Sequence, residues 1–426
     1  MTPVVRRWPW LVVALLSAGC ETYPDQPVFV YGRALREDGS PLSNSTFTIE
    51  RRANTEGSDG GAASSAFTLY KSVMTTTQGA FTLELPARDA EEELPWGSRA
   101  YRFRACISSA DGAMAFASFT FNAGDIELPA LAPWDAALSV TAGQRGPTVI
   151  FGPPPRAPEK PASAKLPAFF DRQGVLQPTA PTTPEPIVQL SSGEDLFWQE
   201  TREPGPWTLP PWLLEDFSAP QAQLRALSLG EWKFEPLWGG TSEVTFRLEW
   251  RSPREALPPG NLRPLSRGAP CMSWKERGPC PWTDGRLNPV SLDDGQTQAT
   301  EVGLTLPAPT NPSRAVIRGL QAREAFFPDQ TLIIEGSANG SDWSRLASLP
   351  IPRTGAVDPM APFASIGRLW AVDSPLDGPL LMNDSPLFLD VPLTTAVPVR
   401  QVRLHVESPD GRHAELSSLA EFSLFK

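Results

Sequence analysis

The sequence predicts an all-β protein made of tandem β-sandwiches. Gly (32) and Pro (48) together account for 80 of the 426 residues, and so many backbone breakers disfavour long helices. Short segments alternate apolar and polar residues, which is the pattern of half-buried strands, and turn signals separate them. At roughly 150 residues per domain, the length predicts two or three domains.

The first 26 residues predict an export signal and a lipid-anchored tether. Two arginines precede a short apolar core and three small residues, and Cys20 follows them, which is typical of a secretory signal peptide over residues 1–19 and not of a membrane span. The Ala-Gly-Cys motif ending at Cys20 resembles the lipobox of bacterial lipoproteins. The resemblance implies a lipid on Cys20, a tether over residues 20–26 and, because Glu21 follows, the outer membrane. The alternative is an ordinary cleaved signal.

Residues 27–145 predict a small antiparallel sandwich. The segments TFTIERR, AFTLEL and AYRFRACIS alternate apolar and polar residues, and turns such as Asp38-Gly39 and Asp111-Gly112 separate the strands. The order VYGRALREDGSPLSNSTFTIER, TTTQGAFTLEL and YRFRACISSADG resembles a carboxypeptidase-regulatory-like, transthyretin-like domain. The resemblance implies a non-catalytic spacer or adhesion module.

The middle of the chain divides into a proline-rich and a tryptophan-rich stretch. Residues 146–186 contain 11 prolines, which predicts a semi-rigid Pro-rich linker or a loop that wraps back over a domain. Eight of the 14 tryptophans lie between Trp198 and Trp282, and they predict either a sandwich core or a platform for sugar rings. Residues 187–261 include the alternating strand EVTFRLEWR, but the sequence leaves open whether they form a separate domain.

Residues 262–426 predict a C-terminal jelly roll. The segments NLRPLSRGAPCMSW, CPWTDGRLNP, TLIIEGSANGSDWSRLASL, VRQVRLHVE and SLAEFSLF follow one another in an order that resembles a discoidin, or coagulation-factor type C, domain of the galactose-binding-like superfamily. The resemblance implies an eight-stranded antiparallel jelly roll in which Trp343, after the Asn-Gly turn, anchors the sheet. An insertion over residues 352–386 makes the match longer than usual.

The cysteines predict one disulfide and one free thiol. Cys271 and Cys280 flank a short loop with Gly and Pro, and an oxidising envelope makes them natural partners. Cys106 lies on the polar face of an alternating strand, so we expect a free, half-covered thiol.

A structural calcium ion is implied by the discoidin resemblance. Asp284 in TDG and Glu421 in LAEF match the positions from which sugar-binding relatives hold Ca²⁺, and carboxylate oxygens suit this cation. The alternative is that Asp284 closes an Asx-turn and Glu421 is a surface strand residue.

Neither catalysis nor nucleic-acid binding is predicted. The chain has two histidines, and it lacks HExxH, GxSxG, P-loop and helix-opening GxGxxG motifs. The net charge of 37 − 48 = −11 disfavours binding to phosphates. These observations predict a non-enzymatic protein whose contact with the membrane is its lipid anchor.

The predicted function is binding of a glycan or an envelope protein at the bacterial cell surface. The candidate ligand residues are the aromatic and basic residues of one loop, because ligand sites combine aromatic faces with a few polar groups: Trp274, Lys275, Trp282 and Arg286. The alternative for both tryptophans is packing beneath the loop. The competing function class is a structural subunit of a multiprotein envelope assembly, with no small ligand.

Overall fold

A computed structural model describes most of the chain. The described residues are 27–52, 68–86, 91–94, 97–100, 102–119, 126–134, 136, 138–155, 164–165, 168–170, 176–178, 185–234, 242–272, 280–292, 299–322, 330–351 and 387–426. The predicted signal peptide, the tether with Cys20, the ligand candidates Trp274 and Lys275, and residues 352–386 lie outside them.

The all-β prediction is confirmed. Within the described residues the helical content is one four-residue helix, Pro211–Leu214 (α1), which begins with a proline. No helix in this part of the chain is long and apolar enough to cross a membrane.

Strands occupy both halves of the chain. Those of the first half are β1 Pro27–Arg33, β2 Thr46–Arg52, β3 Thr68–Met74, β4 Ala80–Pro86, β5 Glu91–Leu94, β6 Gly97–Ala100, β7 Arg102–Ser108, β8 Met114–Phe119, β9 Ile126–Glu127, β10 Ser139–Thr141, β11 Thr148–Phe151, β12 Ala164–Lys165, β13 Ala168–Phe170, β14 Leu176–Pro178, β15 Glu185–Ser192, β16 Asp195–Thr201, β17 Gly205–Thr208, β18 Pro220–Phe234, β19 Ser242–Arg251 and β20 Glu255–Ala256. Those of the second half are β21 Val290–Ser291, β22 Glu301–Thr310, β23 Arg314–Ala322, β24 Thr331–Ser337, β25 Ser344–Pro350, β26 Leu387–Pro392, β27 Val399–Glu407, β28 Leu416–Leu419 and β29 Glu421–Phe425.

One large antiparallel sheet organises the first half. Its main path runs β16-β15-β18-β19-β8-β7-β2-β3, and β12 and β20 also pair with β18. Because β19 pairs with β8, Leu248 lies opposite Ala117 and Trp250 lies opposite Ala115. Strands β18 and β19 of the tryptophan-rich region therefore continue the sheet that contains β8, β7, β2 and β3.

Smaller sheets complete the first half. Strands β4-β1-β9 form one of them, and β10-β11-β17 form another. Phe81 of β4 stacks on Phe47 of β2, with ring centroids 3.7 Å apart, so the small sheet packs on the large one. Strand β11 lies within residues 146–186 and pairs on both sides, so the segment predicted as a linker begins inside a sheet.

Most tryptophans described in the first half belong to its core. Their burial favours the core interpretation of this region over a sugar platform. The buried tryptophans are Trp134, Trp198, Trp207 and Trp250.

The C-terminal region is a two-sheet sandwich. A five-stranded sheet has the order β21-β28-β23-β26, with β29 also pairing with β23, and a four-stranded sheet has the order β22-β27-β24-β25. On β27, Val402, Leu404 and Val406 point into the shared core. Because side chains alternate along a strand, Arg403 and His405 lie on the opposite side, which we call the outward face of the four-stranded sheet.

Candidate functional site

The structure describes two of the four predicted ligand residues, Trp282 and Arg286, and gives them different environments. The ring of Trp282 is buried, with 3% exposure, in the core of the C-terminal sandwich, so it packs beneath the loop and offers no face to a ligand. Arg286 is largely exposed, and its guanidinium lies 3.8 Å from Asp284.

The predicted disulfide pair is joined in the structure, with the Cα atoms of Cys271 and Cys280 5.0 Å apart. The loop that it closes begins at the edge of the four-stranded sheet. The Met272 N–H donates to the carbonyl of Gly303 (3.0 Å), and the Thr305 N–H donates to the carbonyl of Pro270 (2.8 Å). The disulfide thus holds the start of the loop along the free edge of β22.

A glycine makes room for this loop on the outward face. A Cβ atom on Gly303 would lie 2.7 Å from the sulfur of Met272 and 3.3 Å from the Cβ of Arg403. The Met272 side chain therefore lies directly on the sheet, next to Arg403.

Arg403 is the centre of a polar cluster on the outward face. Its Nε donates to Glu335 Oε2 (2.9 Å), and its Nη1 donates to Glu301 Oε2 (3.0 Å). The guanidinium lies 4.2 Å from the ring centroid of Trp343, within the range of a cation–π contact. Strands β22, β24 and β27 carry the three charged residues, and the turn before β25 carries Trp343. The fold thus brings an aromatic ring and fixed charges together.

Trp343 occupies a different place from the one expected. The discoidin resemblance implied that it anchors the sheet, but it is half-buried on the outward face and is not part of the core. The turn before it is held by Asn339, whose side-chain oxygen accepts from the N–H groups of Ser341 and Asp342 (both 2.9 Å). The sequence analysis missed this cluster, although alternation on β22, β24 and β27 places its charged members on one face.

The two predicted calcium ligands lie at one turn. The Asp284 carboxylate accepts from the N–H of Arg286 (2.8 Å), which is the Asx-turn of the alternative interpretation. Glu421 is fully buried rather than on the surface, because it lies between the two halves of the chain, and it accepts from the N–H of Gly285 (3.2 Å). The guanidinium of Arg267 approaches Glu421 to 3.7 Å.

The surroundings of Glu421 therefore supply N–H donors and positive charge without a metal. Burial, and next the nearby Glu215 carboxylate, raise the pKa of Glu421 to about 8, although Arg267 and Arg318 act in the opposite direction. A calcium ion at Asp284 and Glu421 would displace Arg267, so these residues do not fit a calcium site as they stand. Calcium binding itself is untested, and the arrangement of these residues argues against it.

A buried ion pair joins the two halves of the chain close to this turn. Arg318 of β23 donates to Glu215, the residue after α1, and both side chains are fully buried. Arg318 also donates to the carbonyls of Trp212 and Leu213 (both 3.2 Å), and Arg267 donates to Glu215 (2.8 Å). The end of α1 is thereby fixed to the C-terminal sandwich.

A second contact reinforces the junction. The indole N–H of Trp212 donates to Asp390 Oδ2 (2.8 Å), and Arg314 pairs with the same carboxylate (2.6 Å) while lying over the Trp212 ring at 4.2 Å.

Cys106 is free, as expected, but it is buried rather than half-covered. The Glu50–Arg104 ion pair forms on the same face of the sheet, and Arg104 lies over Phe116, the strand partner of Cys106. Burial, and next the Glu50 carboxylate, raise the pKa of the Cys106 thiol to about 11. A thiol of this kind is a poor nucleophile. Among the described residues, no three His, Cys, Asp or Glu side chains come together as metal ligands.

Comparison with known proteins yields weak structural likenesses. No protein-family model and no curated protein matches the chain. A solved SusE-like protein is 12% identical, with a TM-score of 0.23, and the match covers 67% of this chain and 95% of that one. A solved chain named glycoside hydrolase is 9% identical, with a TM-score of 0.22 and coverage of 79% and 96%. Likenesses at these TM-scores carry no argument about function.

Proposed function

We propose that this protein is a non-catalytic, lipid-anchored protein of the bacterial envelope that binds a carbohydrate or a protein partner through its C-terminal sandwich. The observation that carries the proposal is the contact between Trp343 and Arg403 on the outward face. Recognition of sugars uses an aromatic ring together with a few polar groups in fixed positions. The salt bridges of Arg403 to Glu335 (2.8 Å) and Glu301 (3.0 Å) hold this ring and these charges in one arrangement.

The start of the disulfide loop supports the same face, because Met272 lies on it next to Arg403. The loop begins beside β22. In the sequence, Trp274 and Lys275 follow Met272 within three residues. The ligand residues of the proposal are therefore Trp343, Arg403, Trp274 and Lys275, and the buried Trp282 is excluded from them.

The junction between the two halves supports a role in presentation. Buried ion pairs fix relative orientation well, because breaking one partner strands a charge away from water. In the proposal, the lipid on Cys20 holds the chain in the outer membrane, and the first half carries the C-terminal sandwich as a rigid support. The proposal includes the two resemblances: residues 27–145 to a transthyretin-like domain, and residues 262–426 to a discoidin domain.

Binding is tested with the unlipidated chain that begins at Glu21. The chain is applied to an array of envelope polysaccharides and to immobilised envelope proteins. Trp343→Ala should weaken binding by at least about fivefold, since truncating an aromatic anchor costs more than about 1 kcal/mol. Arg254→Gln, which removes an exposed ion pair with Glu194, is the matched control. Equal binding by both variants would reject the outward face, and no binding to either class by the unaltered chain would reject the function.

The anchor is tested separately in cells. Cys20→Ala should abolish labelling with a palmitate analogue and leave the chain unprocessed or released from the envelope fraction. A labelled, membrane-bound variant would contradict the lipoprotein assignment.

The structural-subunit function is favoured by one other observation. Strand β3 ends the large sheet, and it carries Leu69 and Met74, which are 67% and 55% exposed. Edge strands with exposed apolar side chains are surfaces for protein association. Leu69→Glu should reduce the proteins captured with the chain from detergent-solubilised envelope if β3 docks a subunit, whereas Trp343→Ala should leave that capture unchanged.

A further inference from the structure

The two histidines of the chain stack on each other. The rings of His405 on β27 and His413 after the following turn have centroids 4.2 Å apart and an interplanar angle of 21°. His405 is 5% exposed, and its Nδ1 is buried with no hydrogen-bond partner among the described residues. Neither histidine is one of the proposed ligand residues, although His405 shares its strand and face with Arg403.

The stack closes a short hairpin. Glu407 and His413 form an isolated antiparallel bridge, the Ser408 N–H donates to the carbonyl of Arg412 (2.8 Å), and the Ala414 N–H donates to the carbonyl of Val406 (2.8 Å). His413 thereby lies over the outward face, where it covers His405.

The geometry does not favour a metal site. Nearly parallel rings hold their nitrogen lone pairs in two nearly parallel planes, whereas the lone pairs of two histidine ligands must meet at one ion. The stack suits two neutral rings, and it becomes unfavourable when both rings carry a proton.

We propose that the His405–His413 stack is an acid-sensitive latch, which holds the hairpin of residues 407–413 on the sheet at neutral pH and releases it when both rings are protonated. Protonation gives His405 a second N–H donor at a buried atom without an acceptor, which is costly. It also places two positive charges about 4 Å apart, where they repel each other strongly in a partly desolvated site.

The charged groups around His405 act in both directions. Glu301 is its direct partner on β22, while Ile333 is its partner on β24, and both Glu301 and Glu335 favour protonation. Arg403 and His413 oppose it, and burial opposes it most, so the pKa of His405 lies below its ordinary value of 6.5. The other charged residues of this strand and hairpin are Glu407, Asp410, Arg412 and Glu415, and Asp410 pairs with Arg412 (2.5 Å).

The direction of the pH effect follows from this lowered pKa. A histidine whose pKa is lower in the folded than in the unfolded chain stabilises the fold above pH 6.5. That stabilisation is lost as the pH falls through the folded pKa. The hairpin should therefore stay closed above pH 6.5 and open as the pH falls through the lowered pKa of His405.

Histidine titration by NMR tests the latch directly. The unlipidated chain, without a histidine tag and with ¹³C-labelled histidine, should give two Cε1–H signals. His413→Phe keeps a ring on His405 but cannot carry a positive charge, so it should raise the midpoint of His405. Asp410→Asn, which changes a charge in the same turn without touching the stack, is the control and should shift the midpoint much less.

Hydrogen exchange at Ala414 reports the opening itself. After correction for intrinsic exchange, protection of this amide should fall between pH 7.5 and pH 5 in the unaltered chain, and much less in His413→Phe. His413→Gln provides a second variant that lacks both ring and charge. A His405 midpoint that does not move in either variant, or Ala414 protection that is independent of pH, would overturn the proposal.

Discussion

Arg318 and Glu215 form an ion pair between the two halves of the chain, with both side chains fully buried. Glu215 has a φ of 47°, a left-handed value that is uncommon for a residue with a side chain. Its carboxylate also accepts from Arg267, and its backbone carbonyl accepts from the N–H of Leu262 (3.2 Å). The strained backbone of Glu215 is thus held by contacts from the C-terminal region.

Replacing Arg318 by Met should destabilise the protein by about 3–5 kcal/mol, because it leaves the Glu215 carboxylate buried without its main partner. The double variant Arg318→Met/Glu215→Gln should recover a large part of that loss, since it leaves no uncompensated charge. The measurement is urea unfolding followed by tryptophan fluorescence.

Arg254→Gln is the control for the loss of an ion pair as such. Its pair with Glu194 is exposed, so the expected cost is below about 1 kcal/mol. If Arg254→Gln and Arg318→Met lower the free energy of unfolding by similar amounts, burial of the Arg318–Glu215 pair does not contribute to stability.

The strands of this fold could be predicted from the sequence, but their partners could not. Alternation marks β2 and β4 because each has one face in a core and one outside it. The pairing of β19 with β8 depends on two segments that are far apart in the chain, and nothing local in either segment specifies the other. The sequence pattern therefore ends the first sandwich at residue 145, before strands β15, β16, β18 and β19 of the same sheet.

The site could be predicted only in part for the same reason. The spacing of Cys271 and Cys280 is a local signal, and the structure joins these residues. The cluster around Arg403 instead depends on the register of β22, β24 and β27, which puts Glu301 and Glu335 on its two sides. Trp282 looked like a loop residue because its neighbours are turn formers, but its ring fills the core.

Removing the disulfide should destabilise the C-terminal sandwich. In the chain-entropy account, closing a loop of about ten residues contributes about 2.5–3 kcal/mol, so Cys271→Ser/Cys280→Ser should lower the unfolding free energy by that amount. The amide of Met272, bonded to Gly303, should also lose hydrogen-exchange protection. The control is the unaltered chain with reductant, which should match the variant; full protection of Met272 in the variant would contradict the bracing role of the disulfide.

Cys106 should react with iodoacetamide at pH 8.5 only after unfolding. Its thiol pKa of about 11 leaves little thiolate at that pH, and its burial blocks access. A pKa raised from 9.0 means that the protonated thiol favours the folded state below pH 9, and that this contribution is lost as the pH rises through 11. Cys106→Ser is the control for labelling at other sites, and rapid labelling of the folded chain would contradict the buried position.

Calcium should leave the stability of the protein unchanged. Arg267 approaches Glu421 to 3.7 Å, and a carboxyl with a pKa of about 8 holds its proton at neutral pH, which makes it a poor ligand for Ca²⁺. We expect equal thermal midpoints in excess calcium and in excess chelator at pH 7. Arg267→Met removes the guanidinium beside Glu421, but it also removes a charge that lowers the pKa of this carboxyl, so we expect no calcium response in this variant either.

Stabilisation by calcium would be the contrary result, and its size can be stated. An ion bound only to the folded chain at a concentration 100 times its Kd would add about 2.7 kcal/mol to the stability. If calcium raises the midpoint of the unaltered chain, and Glu421→Gln and Asp284→Asn each abolish the rise, the calcium prediction from the discoidin resemblance holds, and Arg267 must move to admit the ion. If Arg267→Met alone responds to calcium, the arginine occupies the place of the cation in this protein.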